Sequence, residues 1–410
     1  MSVFLEKEFY EMLSEKMKAA VSISCLAAKE RGVDIFLIGG IVRDIILGNE
    51  IKDIDIAVQS DAVGFCEYLA SKYDCKIEST QEKLRTSKVR FNNNVVIDFA
   101  STREEKYDSP GVLPSAFNFG CPLNQDVKRR DFTINTLAIK LTGDDKYKLI
   151  DYYSGYEDIK NKQIRILHKN SFVDDPSRII RALKFKERLD FMIEPETYSI
   201  MQSYLNNISK DIPLERIKNE FRQYFMINKE NIYGEIIKSN AYKLISDNPL
   251  KEINTDRIKK MINLNIFKET EIWFLYVACL IVNSNCTDIN LNMTAFENKI
   301  ISETQNMILS GIVDINDNEK IYKKYNDKID LSLALYFVIS GDESVIKFLN
   351  VLKQIKVLIN GNDLIELGFI PSKYFSEIFE NILKEKLKGL LKTKEEEINF
   401  VKRHIKKQSD

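Results

Sequence analysis

Two aspartates stand two residues apart in the apolar segment DIDIAV, where Asp53 and Asp55 alternate with Ile54 and Ile56. Residues two apart in a β-strand point to the same side, so both carboxylates would share one face while the isoleucines enter a core. Adjacent carboxylates repel each other, and their oxygen atoms are ligands that suit Mg²⁺. The pair therefore indicates a metal site on a strand, although a strand with a merely solvated face has the same pattern.

A Gly39-Gly40 pair precedes the aspartates, between an apolar segment and one with helical spacing. Free backbone N–H groups and the helix dipole at such a junction attract phosphate. Arg43, one turn into the helix, could bind a phosphate through two hydrogen bonds or could instead form an ion pair with Asp44. Positions 41–52 allow one short helix and a return to the sheet, so the phosphate site and the metal ligands would face each other.

The elements around these residues predict a mixed α/β unit. A helix is expected through Leu26, followed by a strand, the glycine turn, a short helix and the aspartate strand. Residues 83–91 and 94–100 have the β-branched character of paired strands, whereas residues 62–73 have helical spacing.

Two further segments have different predicted structures, a long loop and a helical region. Residues 101–128, which contain Pro110-Gly111 and Pro114, predict a long loop too broken for regular structure. From about Arg178 onward the pattern is almost wholly helical. The apolar run of residues 272–282 is too short to span a bilayer and predicts a buried helix.

Composition excludes several classes of protein. Lys and Arg number 60 against 61 Asp and Glu, so RNA contacts would need local basic patches. The first residues are acidic and lack the order of a signal peptide. The cysteines lack a C-x-x-C pair, which favours buried free thiols in a reducing cytoplasm. They are Cys25, Cys66, Cys75, Cys121, Cys279 and Cys286.

Five segments, in one order, resemble the motifs of the class II tRNA nucleotidyltransferase (CCA-adding) and bacterial poly(A) polymerase family. They are GGIVRDIILGNEIKDIDIAV, RRDFTINTLAI, DYYSGYEDI, DDPSRIIRALKF and LERIKNEF. The segment INGNDLIELGFIPSKYFSEIFENIL resembles the C-terminal helical region of that family. The resemblance implies an α+β fold, with a polymerase-β-like nucleotidyltransferase head containing a mixed β-sheet and all-α neck, body and tail domains. The expected bounds are 1–150 for the head, 151–225 for the neck, 226–350 for the body and 351–410 for a tRNA-binding tail.

The resemblance also implies catalytic roles. Asp53 and Asp55 would hold two Mg²⁺ ions, one to activate the RNA 3′-hydroxyl and one to neutralise the triphosphate as pyrophosphate leaves. Asp98 is a candidate third carboxylate. Arg130 matches the nucleotide-binding arginine of the family. Asp131 and Asn135, four residues apart, would share a helix face and shape the pocket, with capping and helix packing as the structural alternative.

In the same family, Asp175 and Arg178 correspond to residues that act as protein templates. Arg178 would donate to cytosine or adenine, and Asp175 would accept from the exocyclic amine, where uracil and guanine carry a carbonyl. Asp175 is also the expected helix N-cap, with Pro176 at the first helical position. Arg181 and Lys184 would bind the triphosphate, although lysine stands where the family usually has arginine and lacks its bidentate fork.

The implied reaction is template-independent addition of CCA, or of its terminal nucleotides, to the 3′ end of tRNA from CTP and ATP. Alternatives that share these residues are enzymes adding only A or only CC and poly(A) polymerase; a catalytically silent RNA-binding protein is the non-enzyme alternative. The intact segment 101–128 disfavours CC-only addition. A long basic C-terminal extension would favour poly(A) synthesis, and this sequence lacks one. Full CCA addition ranks first and A addition second. The expected partners are the tRNA acceptor arm, CTP and ATP, with no membrane and no particular protein partner.

Overall fold

The chain divides into two compact units, Met1–Leu244 and Ile245–Asp410. The structure is a computed structural model that describes every residue except 1–2, 110, 209–213, 228, 230, 247, 249, 251–252, 265–267, 269–270, 285–290 and 405–410. The finer subdivision at residues 150, 225 and 350 stays a prediction. Cys286 lies outside the described residues, and the other five cysteines carry free thiols.

The first unit contains a mixed sheet. Its strands are β1 (Ile35–Ile38), β2 (Ile54–Val58), β3 (Cys75–Gln81), β4 (Thr86–Phe91), β5 (Val96–Ser101), β6 (Glu104–Lys106), β7 (Ser115–Phe117), β8 (Ala138–Lys140), β9 (Leu149–Ile150), β10 (Gln163–Ile164) and β11 (Met192–Ile193). Seven of them form one sheet in the order β3-β4-β5-β2-β1-β8-β9. Only β2 and β5 are parallel neighbours in this sheet. The expected α+β fold with a mixed sheet is confirmed.

The strand that carries the aspartates forms as the alternation predicts. Ile54 and Ile56 are buried in β2, whereas Asp55 and Asp53, which directly precedes the strand, are exposed. The neighbouring strand β1 is buried along its whole length and pairs with β2. The isoleucines therefore anchor the strand in the core and leave both carboxylates outside it.

Helices surround this sheet and continue beyond it. In the first unit they are α1 (Glu6–Met12), α2 (Glu15–Arg31), α3 (Gly40–Leu47), α4 (Ala62–Lys72), α5 (Leu123–Asp126), α6 (Gly155–Lys160), α7 (Ser171–Asp174), α8 (Ser177–Leu189), α9 (Pro195–Asn206), α10 (Leu214–Phe225) and α11 (Ile232–Lys238). The helix expected through Leu26 is two helices. Ser14 separates them, because its hydroxyl accepts a hydrogen bond from the backbone N–H of Met17 (3.3 Å) and so caps α2.

The structure of segment 101–128 contradicts the prediction of an irregular loop. The segment was expected to lack regular structure, but β6 and β7 pair in it as an antiparallel hairpin, and α5 follows. Gly111, with φ of 74°, lies in the connection between the strands, and Pro114 directly precedes β7. The turn-forming residues therefore occupy the connection of a hairpin and leave its two short strands intact.

The second unit is helical. Its helices are α12 (Thr255–Asn263), α13 (Ile272–Asn283), α14 (Ala295–Leu309), α15 (Asn318–Tyr325), α16 (Asp330–Ser340), α17 (Ser344–Asn350), α18 (Gly361–Glu366), α19 (Tyr374–Leu387) and α20 (Lys394–His404). The apolar run forms α13, which is buried along nearly its whole length, as expected. Among the described residues, no helix is both long and apolar enough to cross a membrane. In the described part beyond Arg178, β11 is the only strand, so the helical prediction holds with that exception.

Candidate active site

The carboxylates of Asp53 and Asp55 border a cleft. Part of the Asp55 side chain is exposed, but its carboxyl is crowded by protein in the cleft, and this partial burial raises its pKa. Repulsion from Asp98 and Asp53 raises the pKa further, while Arg130 opposes the shift. Asp98 lies opposite Asp55 on the parallel strand β5. Two carboxylates that disfavour each other's charge are stabilised when a cation binds between them.

The donor set fits a hard divalent cation. Mg²⁺ is usually held by one or two carboxylates together with water and substrate phosphates, so Asp53 and Asp55 suffice as protein ligands. Within the described ranges, no three Asp, Glu, His or Cys side chains form a ready-made metal cluster. Asp98 instead pairs with Lys88, whose Nζ lies 3.3 Å from Oδ2. A third-ligand role for Asp98 stays a prediction.

The turn between β1 and α3 brings the backbone close to Arg130. Gly39 has a φ of 81°, a left-handed conformation that glycine adopts at little cost. A Cβ atom added at Gly39 would lie 2.8 Å from Nη1 of Arg130. Helix α3 begins at Gly40, where the first backbone N–H groups of a helix have no partner within it. The Gly39-Gly40 turn thus has the features expected of a phosphate site.

We expect Gly39→Ala to destabilise the chain by about 1–2 kcal/mol, because alanine is strained at this φ and its methyl group would displace Arg130. Thermal unfolding measures the effect. Gly40→Ala is the matched control, since its Cβ would make an ordinary contact, 3.5 Å from Nη2 of Arg43. Equal unfolding temperatures for the two variants would contradict the prediction.

Arg43 adopts the structural alternative that the sequence allowed. It is buried, its Nε and Nη2 donate to Asp44 at 3.1 and 2.9 Å, and its Nη1 donates to Asn135 Oδ1 at 2.7 Å. Direct phosphate binding by Arg43 stays a prediction. In this structure the guanidinium joins α3 to the RRDFTIN segment.

Arg130 is held by a carboxylate that the sequence analysis missed. Asp126 is buried, and its oxygens lie 2.9 Å from Nη2 of Arg129 and 3.5 Å from Nη2 of Arg130. Burial alone would raise the pKa of the Asp126 carboxyl, but the two guanidinium groups outweigh it and lower the pKa below its usual range. Nε of Arg130 is buried and has no hydrogen-bond partner among the described residues. Arg130 therefore retains a donor for a ligand.

Asp131 and Asn135 contact each other, but on a different element from the one expected. Asn135 Nδ2 donates to Asp131 Oδ1 at 2.9 Å across a 3₁₀ turn, Thr133–Asn135. The predicted shared helix face was wrong, because Phe132 is extended and bridges to Ile166, which prevents a continuous α-helix.

Asp175 makes the capping hydrogen bond predicted for it, from an extended backbone ahead of Pro176, whose φ and ψ are already helical. Helix α8 begins at Ser177 with Pro176 in the cap position, and Oδ1 of Asp175 accepts from the backbone N (3.1 Å) and Oγ (2.6 Å) of Ser177. Asp175 and Arg178 therefore do not share a helix face. They are nevertheless neighbours, because Nε of Arg178 lies 3.9 Å from Oδ2 of Asp175, and both side chains are buried.

Arg178 donates to neutral oxygens. Its Nη1 contacts Oγ of Ser171 at 2.7 Å, and its Nη2 contacts the hydroxyl of Tyr107 at 3.2 Å and the carbonyl of Arg129 at 3.0 Å. Tyr107 belongs to the segment between β6 and β7. The hairpin that was predicted as an irregular loop therefore reaches the arginine proposed to read the base.

Arg181 and Lys184 point to acids contributed by other segments. Arg181 Nη2 lies 2.6 Å from Asp131 Oδ2 and its Nη1 lies 3.1 Å from Glu220, while Nζ of Lys184 lies 2.6 Å from Glu220. Burial alone would raise the pKa of the Asp131 carboxyl, but Arg181 and Asn135 hold it at about 2. These cations are neutralised in part and face the same cavity.

Three cavities of about 470, 610 and 550 Å³ share Gly40 in their walls. The first contains Asp55 and Arg130, and the third contains both Asp53 and Asp55. The second is lined by eight basic and four acidic side chains. The predicted residues that line it are Gly40, Arg43, Arg130, Asp131, Asn135, Asp175, Arg178, Arg181 and Lys184. The proposed metal ligands and nucleotide-facing residues thus line neighbouring cavities with Gly40 in common.

Several residues that contact this site are not among the predicted ones, including Tyr107, Asp126, Arg216, Glu220 and Gln223. Arg216 and Glu220 lie in LERIKNEF, a motif whose charges are spaced for one helix face, and this spacing was a signal that could have identified them. Asp126 lies three and four residues before Arg129 and Arg130, a spacing that also could have identified it. Nothing in the local pattern marks Tyr107, which contacts Arg178 far along the chain.

Comparisons with known proteins agree with this arrangement. The family described as Poly A polymerase head domain matches residues 35–165. The A-adding tRNA nucleotidyltransferase of Geobacter sulfurreducens is 28% identical over 91% of this chain, which spans 45% of that protein's length. The A-adding tRNA nucleotidyltransferase of Halalkalibacterium halodurans is 26% identical over 96% of this chain and 93% of that protein.

A solved structure shares the fold along the whole chain. The Thermotoga maritima CCA-adding enzyme complexed with tRNA-CCA superposes with a TM-score of 0.77 at 24% identity, covering 99% of this chain and 100% of that one. The head-domain match and the relatives that align along most of the chain support one assignment: a nucleotidyltransferase similar to the class II tRNA nucleotidyltransferase and bacterial poly(A) polymerase family.

Proposed function

We propose that the chain adds nucleotides, C, C and A in full, to the 3′ end of tRNA from CTP and ATP without a nucleic-acid template, and releases pyrophosphate. The observation that carries this proposal is that Gly40 lines both the cavity with the two aspartates and the cavity with Asp175 and Arg178. Use of tRNA agrees with the expected cytoplasmic location.

The cavity of about 610 Å³, which Asp175 and Arg178 line, suits a nucleoside triphosphate. Its excess of basic side chains favours a polyanion, and arginine is well suited to bind phosphate oxygens in pairs. Within the described part of the chain, Nε of Arg130 and Nη1 of Arg216 are buried donors without a partner, and both residues line this cavity. A bound nucleotide offers acceptors for them.

Asp53 and Asp55 would hold Mg²⁺, which supplies activation of the 3′-hydroxyl and neutralisation of the leaving pyrophosphate. The chain's own contribution is to orient the substrates. Gly39-Gly40 and Arg130 would position the phosphates beside the aspartates, and Arg181 and Lys184 would bind the far end of the triphosphate.

Base choice would depend on Asp175 and Arg178. The hydrogen bonds that Arg178 donates go to uncharged oxygen atoms. An acceptor atom of the base can take the place of these oxygens without separating a buried ion pair. Asp175 offers only acceptors when ionised, so an amine is matched and a carbonyl is not. Cytosine and adenine carry the amine, whereas uracil and guanine carry the carbonyl.

Addition of A alone is the second candidate. Two relatives that match over most of this chain are A-adding enzymes, whereas the solved structure is a CCA-adding enzyme. Segment 101–128 is intact, with its hairpin against Arg178, as expected for either activity.

The decisive experiment offers the protein tRNAs that end at the discriminator base, at C and at CC, each with labelled CTP or ATP and Mg²⁺. Full CCA addition requires incorporation into all three. Incorporation of ATP only, into the tRNA ending in CC, would establish the second candidate. Absence of incorporation into every tRNA would overturn the proposed function.

A further inference from the structure

Helix α10, which contains the LERIKNEF segment, supplies partners for the nucleotide-facing residues near α8. Arg216, Glu220 and Gln223 follow at helical spacing, so they share one face of α10. Arg216 Nη2 donates to Oδ2 of Asp175, and Nζ of Lys184 donates to Glu220 at 2.6 Å and to Gln223 at 2.7 Å. One helix face thus contacts both the proposed base-reading acid and the proposed triphosphate-binding lysine.

The hydrogen bonds of Asp175 leave it little freedom. A carboxylate has about four acceptor positions. Oδ1 of Asp175 accepts twice from Ser177, and Oδ2 accepts once from Arg216. One position therefore remains on Oδ2, the oxygen that lies 3.9 Å from Nε of Arg178. This remaining acceptor position on Asp175 lies beside Arg178, which would donate to the neighbouring ring atom of the base.

We propose that Arg216 is a positioning residue for base choice, which fixes Asp175 so that a single acceptor position is left for the exocyclic amine of the incoming base. This inference rests on the proposed function. Without Arg216, Arg178 would be the cation near Oδ2. The carboxylate would then turn toward Arg178, and the two base-reading groups would engage each other instead of the base.

Glu220 provides an internal contrast on the same helix. It is buried and accepts from Arg181 Nη1 at 3.1 Å and from Lys184 Nζ at 2.6 Å, both of which are proposed triphosphate ligands. Its contacts involve neither Asp175 nor Arg178. Loss of the Glu220 charge should therefore change how tightly every nucleotide binds, whereas loss of Arg216 should change which nucleotide is chosen.

The test measures kcat/KM for ATP and for GTP on a tRNA ending in CC, a step common to CCA addition and A addition. We expect Arg216→Met to lower the ATP-to-GTP ratio by about tenfold or more, because one charged hydrogen-bond partner of the reading group is lost. Arg216→Lys should restore most of the ratio, since it returns a charged donor. Glu220→Gln should change KM for both nucleotides by a similar factor and leave the ratio unchanged.

Wild type and Asp175→Asn are measured in parallel to separate the two hypotheses. If wild type adds nothing, the proposed function fails. If wild type is selective and Asp175→Asn is not, but Arg216→Met keeps the wild-type ratio, the positioning role alone is overturned. Should Arg216→Met fail to fold in thermal unfolding, Arg216→Lys and Arg216→Gln decide, because the proposal requires the charged variant to be the more selective of the two.

Discussion

Replacing Asp53 or Asp55 by alanine should abolish nucleotide addition while the chain keeps its fold. Each substitution removes carboxylate oxygens from the proposed Mg²⁺ site, and stabilisation of transition-state charge by a metal is worth several kcal/mol, so the loss should be at least about a thousandfold. Both side chains are exposed, whereas Ile54 and Ile56 anchor the strand in the core. The fold does not depend on the carboxylates.

Thermal unfolding at neutral pH should show no loss of stability in either variant. The pKa of Asp55 is raised in the folded chain, so its ionisation above the ordinary aspartate pKa opposes folding. Asp55→Ala removes this effect and should raise the unfolding temperature slightly. Asp98→Asn tests the third-ligand role separately: activity far above that of the alanine variants would leave Asp98 in its pair with Lys88, and an equal loss would add it to the metal ligands. Appreciable turnover by both alanine variants with Mg²⁺ would refute the assignment.

The features that the sequence predicted well are encoded locally. The alternation around Asp55 and the apolar strand before Gly39 depend on neighbours within a few residues, and each forms as expected. The helix α8 begins within one residue of its predicted start because Pro176 marks it. Period and turn chemistry are properties of short segments, so a single sequence contains them.

The partners of the site residues depend on the fold and could not be read from spacing. Arg181 binds Asp131, fifty positions earlier, and Asp175 binds Arg216, forty-one positions later. The β6–β7 hairpin was missed for a different reason: its strands are only three residues long and mostly polar, so they give no clear alternation. Both the ion pairs of the site residues and the β6–β7 pairing are determined by contacts between segments and not by the local preferences of single residues.

These long-range contacts give Asp175 two roles to separate. It is buried, it supports the start of α8 through Ser177, and it is paired with Arg216. A side chain with such contacts would contribute to stability even if it never met a nucleotide. The template hypothesis therefore needs a variant that keeps the structural contact and changes the pattern of donors and acceptors presented to the base.

Asp175→Ala should weaken discrimination against UTP and slow correct addition. It removes the acceptor that opposes the uracil carbonyl, and a hydrogen bond to a charged group is typically worth about 1.5–3 kcal/mol, or roughly tenfold to a hundredfold in the CTP-to-UTP ratio of kcat/KM. If Asp175 only supported the helix start, its loss would cost about 1 kcal/mol of stability and leave base choice unchanged. Both effects are measurable on a tRNA awaiting C.

Asp175→Asn separates the two roles because asparagine has the same shape. Its amide oxygen can keep the contacts of Oδ1 with Ser177, which places the amide nitrogen at the position of Oδ2, beside Arg178 and without the hydrogen bond from Arg216. That nitrogen donates to a uracil or guanine carbonyl and opposes the amine of cytosine, so the variant should favour UTP far more than wild type does. Its stability should exceed that of Asp175→Ala. If Asp175→Asn folds and selects CTP over UTP as strictly as wild type does, Asp175 is structural and the base is read elsewhere.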